Sequence, residues 1–400
     1  MRIIQIGGFH IGAQKTVEEA IHRYLKKQRN DSYLFYAYGK SMESGSYCYT
    51  NLIESLITRV FRRILGKKDS FAILQTIRLI IKLYRLKPEL IHLHVIHDGY
   101  VYYKLLFWFI VHEHIPVVYT MHDLWAFTGG CYHYTCLRCD GYKTGCYSCP
   151  AKKEQLDCEK SSITKSYETK KFFFERTSQY ASVAVSQWVS RQINMSFLYN
   201  KPAFVIYNCI EQPDLDKIKA YNSPKRNSVH RLVGIANTWD VTKGIDKMYC
   251  IANYLGSEYE ILLVGNIDES IKKNAPPNII FFGYSNIKEQ IYSLLSEADL
   301  YISTSLEETL GLTFVEAAYV GTKSIGFDST AIKEILTIVD GICVKDLSIT
   351  TMCEEIKNVL ANGSNKLSKD KVNRVKHFFS DERMTYEYSR VYESVLNQKV

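Results

Sequence analysis

The sequence lacks a hydrophobic run long enough to cross a membrane. Its most apolar stretch, residues 102–123, is interrupted by Lys104, by the polar triplet at 112–114 and by Pro116. A membrane-spanning helix needs about 20 consecutive apolar residues. The chain also opens directly on a strand-like pattern, MRIIQIGGF, without the apolar segment of a signal peptide. We therefore expect a cytoplasmic protein.

The signatures of several function classes are also missing. There is no basic and aromatic RNA-binding motif, no zinc-finger spacing with paired histidines and no long basic tail, so no nucleic acid is expected as a partner. No G-x-G-x-x-G loop is followed by a suitably placed acid, which argues against a nicotinamide-dependent oxidoreductase. The D-x-D motif at Asp214 and Asp216 lies in a polar linker and indicates a charged turn.

Composition is that of an ordinary globular protein, with 46% apolar and 23% charged residues, and the length suffices for two domains. The formal net charge of +8 favours attraction to anions. Part of that charge lies in residues 52–68, where arginine and lysine alternate with apolar residues at helical spacing. Two interpretations stay open for this segment: a surface helix with a solvated face, or a helix that lies on an anionic membrane surface.

Short β-branched runs alternate with helical patterns in two series along the chain, which indicates parallel sheets. The first series predicts strands at 2–8, 32–39, 90–95, 117–123, 182–186 and 203–208. The second predicts strands at 230–237, 259–266, 278–284, 299–304, 322–327 and 341–345. A polar, proline-containing linker, 211–228, separates them. The pattern predicts two doubly wound α/β domains whose ligands bind at the carboxyl ends of the strands.

The strongest chemical signal is the segment STSLEETLGLTFVEAAYVGTKSIGF, residues 303–327. It predicts a strand, a loop that carries Glu308, and an apolar helix that begins near Gly311 and contains Glu316. The first amides of such a helix form an anion site. A glutamate inside an apolar helix is costly unless another group hydrogen-bonds it, so Glu316 is either a ligand contact or a residue capped by a neighbouring side chain.

This glutamate pair, with Gly-Leu between its members and Gly-Thr after it, resembles the motif of retaining GT-B glycosyltransferases of family four. Residues 184–211 and 234–246 resemble further passages of that family, and MHDLWAFTGGC, 121–131, resembles its bacterial polysaccharide branch. The resemblance covers nearly the whole chain. It implies a GT-B fold, two Rossmann-like domains that face each other across a cleft.

The resemblance implies that residues 1–212 form an N-terminal acceptor-binding domain with a cysteine-rich loop at 131–149. It also implies that residues 213–378 form a C-terminal domain that would bind the nucleotide sugar. Helical periodicity beginning at a Ser-Asp cap predicts a last helix within 379–400, which we expect to pack back toward the N-terminal domain.

The resemblance also implies roles for individual residues. Glu316 would hold the ribose hydroxyls of a nucleotide, and Glu308 would contact hydroxyls of the donor sugar. Lys243 would bind the diphosphate, and the glycine-rich loop at Gly12 would reach it from the other domain. The implied cradle for sugar and diphosphate is formed by the amides of Thr309, Leu310, Gly311 and Leu312.

Lys243 also attracts attention without the resemblance. It stands at the start of a predicted helix, where a cation is unfavourable against the helix dipole unless an anion binds there; an exposed lysine of little consequence is the alternative. His122 ends a predicted strand, and in the family the residue at this place lies beside the reacting sugar. His97 and Asp123 are expected on the acceptor side. His92 and His94 lack ligand-spaced partners and are expected as buried, hydrogen-bonded histidines.

The function that follows is a retaining transfer of a sugar from a UDP- or GDP-sugar to a glycan or lipid-linked oligosaccharide. The expected setting is bacterial capsule or O-antigen synthesis at the inner face of the membrane, without a metal at the reaction centre. Departures from the family motivate an alternative. No arginine precedes Lys243 among Asn237, Thr238 and Trp239, so a catalytically weakened sugar-binding protein or complex subunit stays open.

Five cysteines lie within residues 131–149. Their two C-x-x-C pairs are typical of a structural zinc site, and disulfides or free thiols are the alternatives. The predicted ligands are Cys139, Cys146 and Cys149. The spacing gives Cys136 as the fourth, whereas the resemblance to the bacterial polysaccharide branch implies Cys131, so both stay open.

Overall fold

The computed structural model describes residues 1–10, 12–51, 72–97, 99–152, 156–213, 217–218, 221 and 230–398. The chain divides into two compact units, one formed by Met1–Cys209 with Asp381–Val400 and the other by Ile210–Ser380. The sequence pattern places the corresponding boundaries after residues 212 and 378. In the described ranges no helix has both the length and the apolar character to cross a membrane. Segment 52–68 and the D-x-D motif lie outside the described residues.

The first unit is built on a seven-stranded parallel sheet with the order β3-β2-β1-β4-β5-β6-β7. Its strands are β1 Arg2–His10, β2 Asp31–Gly39, β3 Ser46–Cys48, β4 Leu90–Leu93, β5 Val117–Met121, β6 Tyr180–Ala184 and β7 Ala203–Val205. Its helices are α1 Gly12–Lys27, α2 Ile73–Leu86, α3 Tyr103–His112, α4 Ile163–Arg176, α5 Gln187–Asn194 and the C-terminal helix, α13 Asp381–Leu396.

The core of this unit lies on both faces of the sheet, because its central strands are apolar on both sides. In β1 the side chains of Ile3, Ile4 and Ile6 are all fully buried, as parallel strands between two helical layers require. One face is covered by α1 and α13, whose buried residues recur every three or four positions. The C-terminal helix therefore completes the core of the first unit.

Two hydrogen-bond contacts anchor α13 in this apolar interface, and a third joins their partners. Tyr388 Oη lies 2.9 Å from Thr120 Oγ1, and Tyr392 Oη lies 2.8 Å from His92 Nδ1. His92 Nε2 in turn lies 2.8 Å from Thr120 Oγ1. Burial lowers the pKa of His92 well below its ordinary value, so the imidazole is neutral. The closed set of hydrogen bonds explains why His92 is tolerated in the core, as the sequence leads us to expect.

The second unit has a six-stranded parallel sheet with the order β10-β9-β8-β11-β12-β13. Its strands are β8 His230–Trp239, β9 Tyr259–Ile267, β10 Ile279–Gly283, β11 Leu300–Ser303, β12 Ser324–Phe327 and β13 Ile342–Val344. Its helices are α6 Ile245–Leu255, α7 Glu269–Lys272, α8 Lys288–Glu297, α9 Leu312–Tyr319, α10 Ile332–Ile338, α11 Ile349–Ala361 and α12 Lys369–Phe378.

Each sheet reverses its strand order once, between β1 and β4 in the first unit and between β8 and β11 in the second. At such a switch point the loops leaving two neighbouring strands run to opposite faces, which opens a crevice for a ligand. The predicted site residues follow these strands: Lys243 comes after β8, Glu308 after β11 and His97 after β4. The doubly wound architecture thus agrees with the sequence prediction, and β3, a three-residue edge strand, is the addition to it.

The anchor at His92 gives a test of the first unit's core. We expect Tyr392→Phe to lower the free energy of unfolding by about 1–3 kcal/mol, because it leaves the buried Nδ1 of His92 without its partner. Urea unfolding measures the loss. Tyr386→Phe is the matched control, since Tyr386 lies on the same helix with 55% of its surface exposed. Equal stabilities of the two variants would contradict the anchoring role.

Candidate functional site

In the second unit, Lys243 and Glu308 meet at the carboxyl edge of the sheet. Lys243 Nζ lies 2.7 Å from Glu308 Oε1, and both side chains are partly exposed. Burial disfavours the ammonium, but the Glu308 carboxylate outweighs this effect and raises the pKa of Lys243 above its ordinary value. The lysine is therefore a stable cation that a ligand can reach.

The loop that carries Lys243 has a defined shape. Asp240 Oδ1 accepts hydrogen bonds from Thr242 Oγ1 at 2.6 Å and from the Lys243 amide at 3.0 Å. Gly244 follows with φ +75°, and a Cβ there would lie 2.6 Å from Thr304 Oγ1. Only glycine fits this position, so the start of α6 packs directly on the end of β11.

Glu316 lies in α9 with only 7% of its surface exposed. Its Oε1 is 2.5 Å from Nζ of Lys288, the first residue of α8. Burial acts against the charge of Lys288, but Glu316 outweighs it, and the pKa of the lysine is raised. Glu316 is thus a buried carboxylate with a cationic partner. The sequence pattern misses Lys288, because 28 residues separate it from Glu316.

Glu308 and the start of α9 are held by the loop after β12. The Glu308 amide donates to Thr330 Oγ1 at 3.0 Å, and the Ala331 amide donates to the Glu308 carbonyl at 3.3 Å. Gly311 caps α9 with φ +84°, where a Cβ would lie 2.9 Å from the Phe314 ring. The segment from Thr309 to Leu312 therefore presents the first amides of α9 beside Glu308.

In the first unit, His122 follows β5 and belongs to a chain of polar groups. His94 Nε2 lies 3.1 Å from Gln5 Oε1, and His94 Nδ1 lies 3.1 Å from His122 Nε2. Asn208 Nδ2 is 3.5 Å from His122 Nδ1. Burial lowers the pKa of His122 to about 4 and that of His94 well below its ordinary value. Both imidazoles are neutral.

The hydrogen-bond network assigns the tautomers of this chain. Gln5 Nε2 donates to the Glu18 carbonyl, so Gln5 Oε1 accepts from His94 Nε2–H. His94 Nδ1 then accepts from His122 Nε2–H, which leaves a lone pair on His122 Nδ1 toward the Asn208 amide. The contact between Asn208 and His122 is the longest of these hydrogen-bond contacts. A ligand hydroxyl can therefore replace it more easily than the others.

Asn208 itself is a functional candidate that the sequence pattern misses. The residue is buried, with 5% of its surface exposed. Within the part of the chain that the structure describes, its Oδ1 has no hydrogen-bond partner. A buried amide oxygen without a partner is costly, and a hydroxyl donor would satisfy it.

The acceptor-side candidates His97 and Asp123 form a direct pair. His97 Nε2 lies 2.6 Å from Asp123 Oδ2, and the Trp125 amide donates to Asp123 Oδ1 at 2.9 Å. Burial opposes ionisation of Asp123, but His97 and the Trp125 amide outweigh it and lower the pKa of the carboxyl. The pair joins the loops after β4 and β5, with the His97 ring against Trp125 and Tyr132.

Two further features lie near the end of β1. Gly12 has φ +56° and begins α1, and beyond its chain neighbours and its own helical turn no atom of the described residues lies within 4 Å of where a Cβ would stand. His10, which the sequence pattern does not single out, bonds to the buried carboxylate of Glu18 and lies 3.2 Å from Glu19. Burial acts against the charge of His10, but these carboxylates outweigh it and raise its pKa.

The cysteine-rich loop brings four of its thiols together. Cys131, Cys139, Cys146 and Cys149 line one small cavity, whereas Cys136 is exposed. Of the two alternatives for the fourth predicted ligand, Cys131 therefore lines the cavity with the other three cysteines and Cys136 does not. In the side-chain positions of the described residues, no three or more His, Cys, Asp or Glu side chains are arranged to bind a metal ion together.

Known proteins similar to this chain point to one fold. Residues 227–377 match the family model described as Glycosyl transferases group 1. The chain is 23% identical over 329 residues to the putative colanic acid biosynthesis glycosyl transferase WcaC of Escherichia coli (strain K12), covering 77% of each chain.

Two solved structures resemble the whole chain. Anabaena Alr3699/HepE in complex with UDP matches with a TM-score of 0.65 at 13% identity, over 98% of this chain and 100% of that one. WaaG, a glycosyltransferase involved in lipopolysaccharide biosynthesis, matches with a TM-score of 0.60 at 12% identity, over 97% and 99%. Together with the two parallel sheets, these matches show the GT-B fold, and with the family model they support a glycosyltransferase.

The neutral state of His122 predicts a pH dependence of stability. The unfolded chain takes up a proton at this histidine below its ordinary pKa of 6.5, whereas the folded protein does so only near 4. Stability from this group is therefore present above 6.5 and lost as the pH falls toward 4. We expect His122→Gln to reduce the loss of unfolding free energy between pH 7 and about pH 5 by about 1–2 kcal/mol.

Urea unfolding at both pH values measures this difference. His112→Gln, at the exposed end of α3, is the control and should keep the pH dependence of the original chain. Parallel curves for the original chain and the His122 variant would refute the neutral buried imidazole.

Proposed function

We propose that this protein is a retaining glycosyltransferase that transfers a sugar from a UDP- or GDP-sugar to a glycan or lipid-linked oligosaccharide in bacterial polysaccharide biosynthesis. The observation that carries the proposal is the Lys243–Glu308 ion pair beside the first amides of α9, at the switch point of the second sheet. The names of WcaC and WaaG, and the UDP complex of HepE, support this choice of chemistry.

The diphosphate is the natural partner for this end of the sheet. The Lys243 ammonium and the amides of Leu310, Gly311 and Leu312 supply positive charge and donors without a metal ion. Glu308 already pairs with the lysine. The incoming phosphate would replace Glu308 as the anionic partner of Lys243, and Glu308 would then be available for the hydroxyls of the sugar. The proposed reaction centre therefore needs no metal.

Glu316 is proposed to bind the ribose. A carboxylate can accept two hydroxyl donors, and Lys288 gives this one a cationic partner inside an apolar helix. Lys288 is thereby proposed as a residue that positions Glu316, while Glu316 touches the nucleotide.

In the first unit, His122 and Asn208 are proposed to bind a sugar hydroxyl. Asn208 Oδ1 accepts the hydroxyl proton, and the weakly engaged Nδ1 of His122 offers a second acceptor. His97 and Asp123 are proposed to bind the acceptor, and Gly12 is proposed to let the β1 loop approach the diphosphate closely.

The bonds change on one face of the sugar. The C1–O bond to the diphosphate breaks, the acceptor oxygen bonds C1 from the same face, and the acceptor proton passes to the departing phosphate oxygen. Configuration at C1 is retained without a covalent enzyme intermediate. Lys243 and the helix amides stabilise the charge that develops on the leaving diphosphate.

Nucleotide binding tests the proposed donor site. One of UDP and GDP, added without metal at 100 times its dissociation constant, should stabilise the protein by about 2.7 kcal/mol in thermal unfolding. Lys243→Met should weaken that nucleotide about 10- to 100-fold, because a charge-assisted contact is lost. Lys247→Met, in α6 four residues after Lys243 and paired with the neighbouring Asp246, is the matched control. Unchanged affinity in Lys243→Met would overturn the proposed site.

The alternative of a binding protein without turnover rests on the missing arginine. Trp239 stands in this neighbourhood instead, with its indole donating to the Val264 carbonyl inside the core. Release of UDP or GDP from nucleotide sugars, with bacterial membranes as the acceptor source, separates the two functions. An enzyme should lose this release in Glu308→Gln while its nucleotide affinity persists, whereas nucleotide binding with no release in the original chain would favour the alternative.

We further propose that α2 contacts an anionic membrane surface, where a lipid-linked acceptor would lie. The face of α2 opposite its buried residues exposes Leu74, Ile77, Ile81 and Tyr84, and Arg85 is exposed beside them. An amphipathic helix that combines apolar and basic side chains in this way suits the headgroup region of a bilayer.

Vesicle sedimentation tests this surface. The protein should bind phosphatidylglycerol vesicles more strongly than phosphatidylcholine vesicles, and Leu74→Gln with Ile77→Gln should reduce binding several-fold because apolar area is lost. Tyr254→Gln, an exposed position of α6, is the control. Equal binding by both variants would contradict the assignment of α2.

A further inference from the structure

The loop between β5 and α4 is long and contains little regular secondary structure. It runs from His122 to Ser162, and its described residues form three short 3-10 turns and one isolated bridge, Cys131 with Leu156. Loops of more than about 12–15 residues are uncommon in compact domains unless something else organises them. Nevertheless Leu124, Trp125 and Phe127 are fully or almost fully buried. The loop is therefore a packed element that needs its own source of order.

Four cysteines of this loop line the same small cavity. The small cavity lined by Cys131, Cys139, Cys146 and Cys149 has a volume of about 10 Å³, near the lower limit for a single water molecule. Glycines and tyrosines make up much of the remaining wall, and the lining residues include no carboxylate or imidazole. A cavity of this size and chemistry suits one small ion with sulfur ligands.

The backbone donates to two of these sulfurs. The Gly129 amide lies 3.2 Å from Cys146 Sγ, and the Gly141 amide lies 3.4 Å from Cys139 Sγ. Such N–H···S bonds stabilise negative charge on sulfur, as a thiolate ligand requires. The turn at Cys146 is left-handed, with φ +55°, and the Cys146 amide donates to the Gly141 carbonyl at 2.8 Å. The backbone thus holds both sulfurs toward the cavity.

We propose that this loop binds one structural Zn²⁺ through the thiolates of Cys131, Cys139, Cys146 and Cys149. Zinc is the choice because four thiolates form its commonest structural site, whereas magnesium and calcium take oxygen ligands. Each thiol gives up its proton to solvent as it bonds the ion, and the ligands close on it by rotation about their Cα–Cβ bonds. Cys136 is excluded as a ligand by its exposure.

The site ties the loop to the rest of the first unit. Tyr134 and Tyr142 line the cavity, stack at 4.4 Å, and both donate to Oε1 of Gln192 on α5 at 2.9 Å. The loop begins with His122 and Asp123, so a metal that orders it also supports the His97–Asp123 pair. The zinc site does not depend on the proposed transfer reaction.

Metal analysis of the purified chain tests the proposal. Inductively coupled plasma mass spectrometry should find about one zinc per chain after expression without added metal. Replacement by Co²⁺ should give the thiolate charge-transfer and strong visible absorption of tetrahedral cobalt–sulfur coordination. A metal-free chain with all thiols reduced, or a chain in which these cysteines form disulfides, would overturn the proposal.

Paired variants identify the ligands. Cys131→Ser and Cys149→Ser should each lower the zinc content and abolish the cobalt spectrum, whereas Cys136→Ser should keep both. Zinc retained in Cys131→Ser and lost in Cys136→Ser would overturn the assigned ligand set. If the ligand variants are insoluble, the cobalt spectrum of the original chain still decides. Nucleotide affinity at Lys243 should be equal in the Cys136 variant and the original chain, so failure of the zinc proposal leaves the donor site unaffected.

Discussion

A carboxylate that is partly or fully removed from water needs a partner, and the second unit supplies one for each of its two key carboxylates. Glu308 is paired with Lys243 and Glu316 with Lys288, and each lysine has a raised pKa although burial acts against its charge. Removal of one partner would leave the other charge uncompensated in a poorly solvated place. The pairs therefore give each carboxylate a cationic partner before any ligand arrives, and the proposed nucleotide diphosphate would enter by exchange of partners.

The first unit meets the same constraint with neutral groups. Gln5, His94, His122 and Asn208 form a hydrogen-bonded chain in which burial keeps both imidazoles uncharged. Such a chain can give or accept a hydroxyl contact without a change of net charge. The unsatisfied Oδ1 of Asn208 is the point where it is incomplete. A charged site suited to an anion and a neutral site suited to hydroxyls thus lie on separate sheets, as the proposed donor and sugar contacts require.

The cysteine-rich loop shows how an element without regular structure can still be ordered. Its aromatic residues pack as a small core, and four of its cysteines line one cavity. A few hydrogen bonds suffice to order a short loop. In a longer loop the loss of conformational entropy on ordering increases with the number of residues that must be fixed. A metal bound by four ligands would offset that cost at one point. The same loop begins at His122 and Asp123, so its order bears on the site at the end of β5.

The sequence by itself determined the two doubly wound sheets. Each strand is a short apolar run, and such a run can be recognised from residues that are adjacent in the chain. It also located Lys243, Glu308 and Glu316 through local spacing. Only the tertiary structure decided the partners: Lys288 for Glu316, Thr330 for the Glu308 amide, Asn208 for His122, and Cys131 instead of Cys136 at the thiol cavity. The three-residue strand β3 is likewise defined by its pairing with β2. These contacts join residues from separate strands and loops, and periodicity along the chain carries no information about which distant side chains the fold brings together.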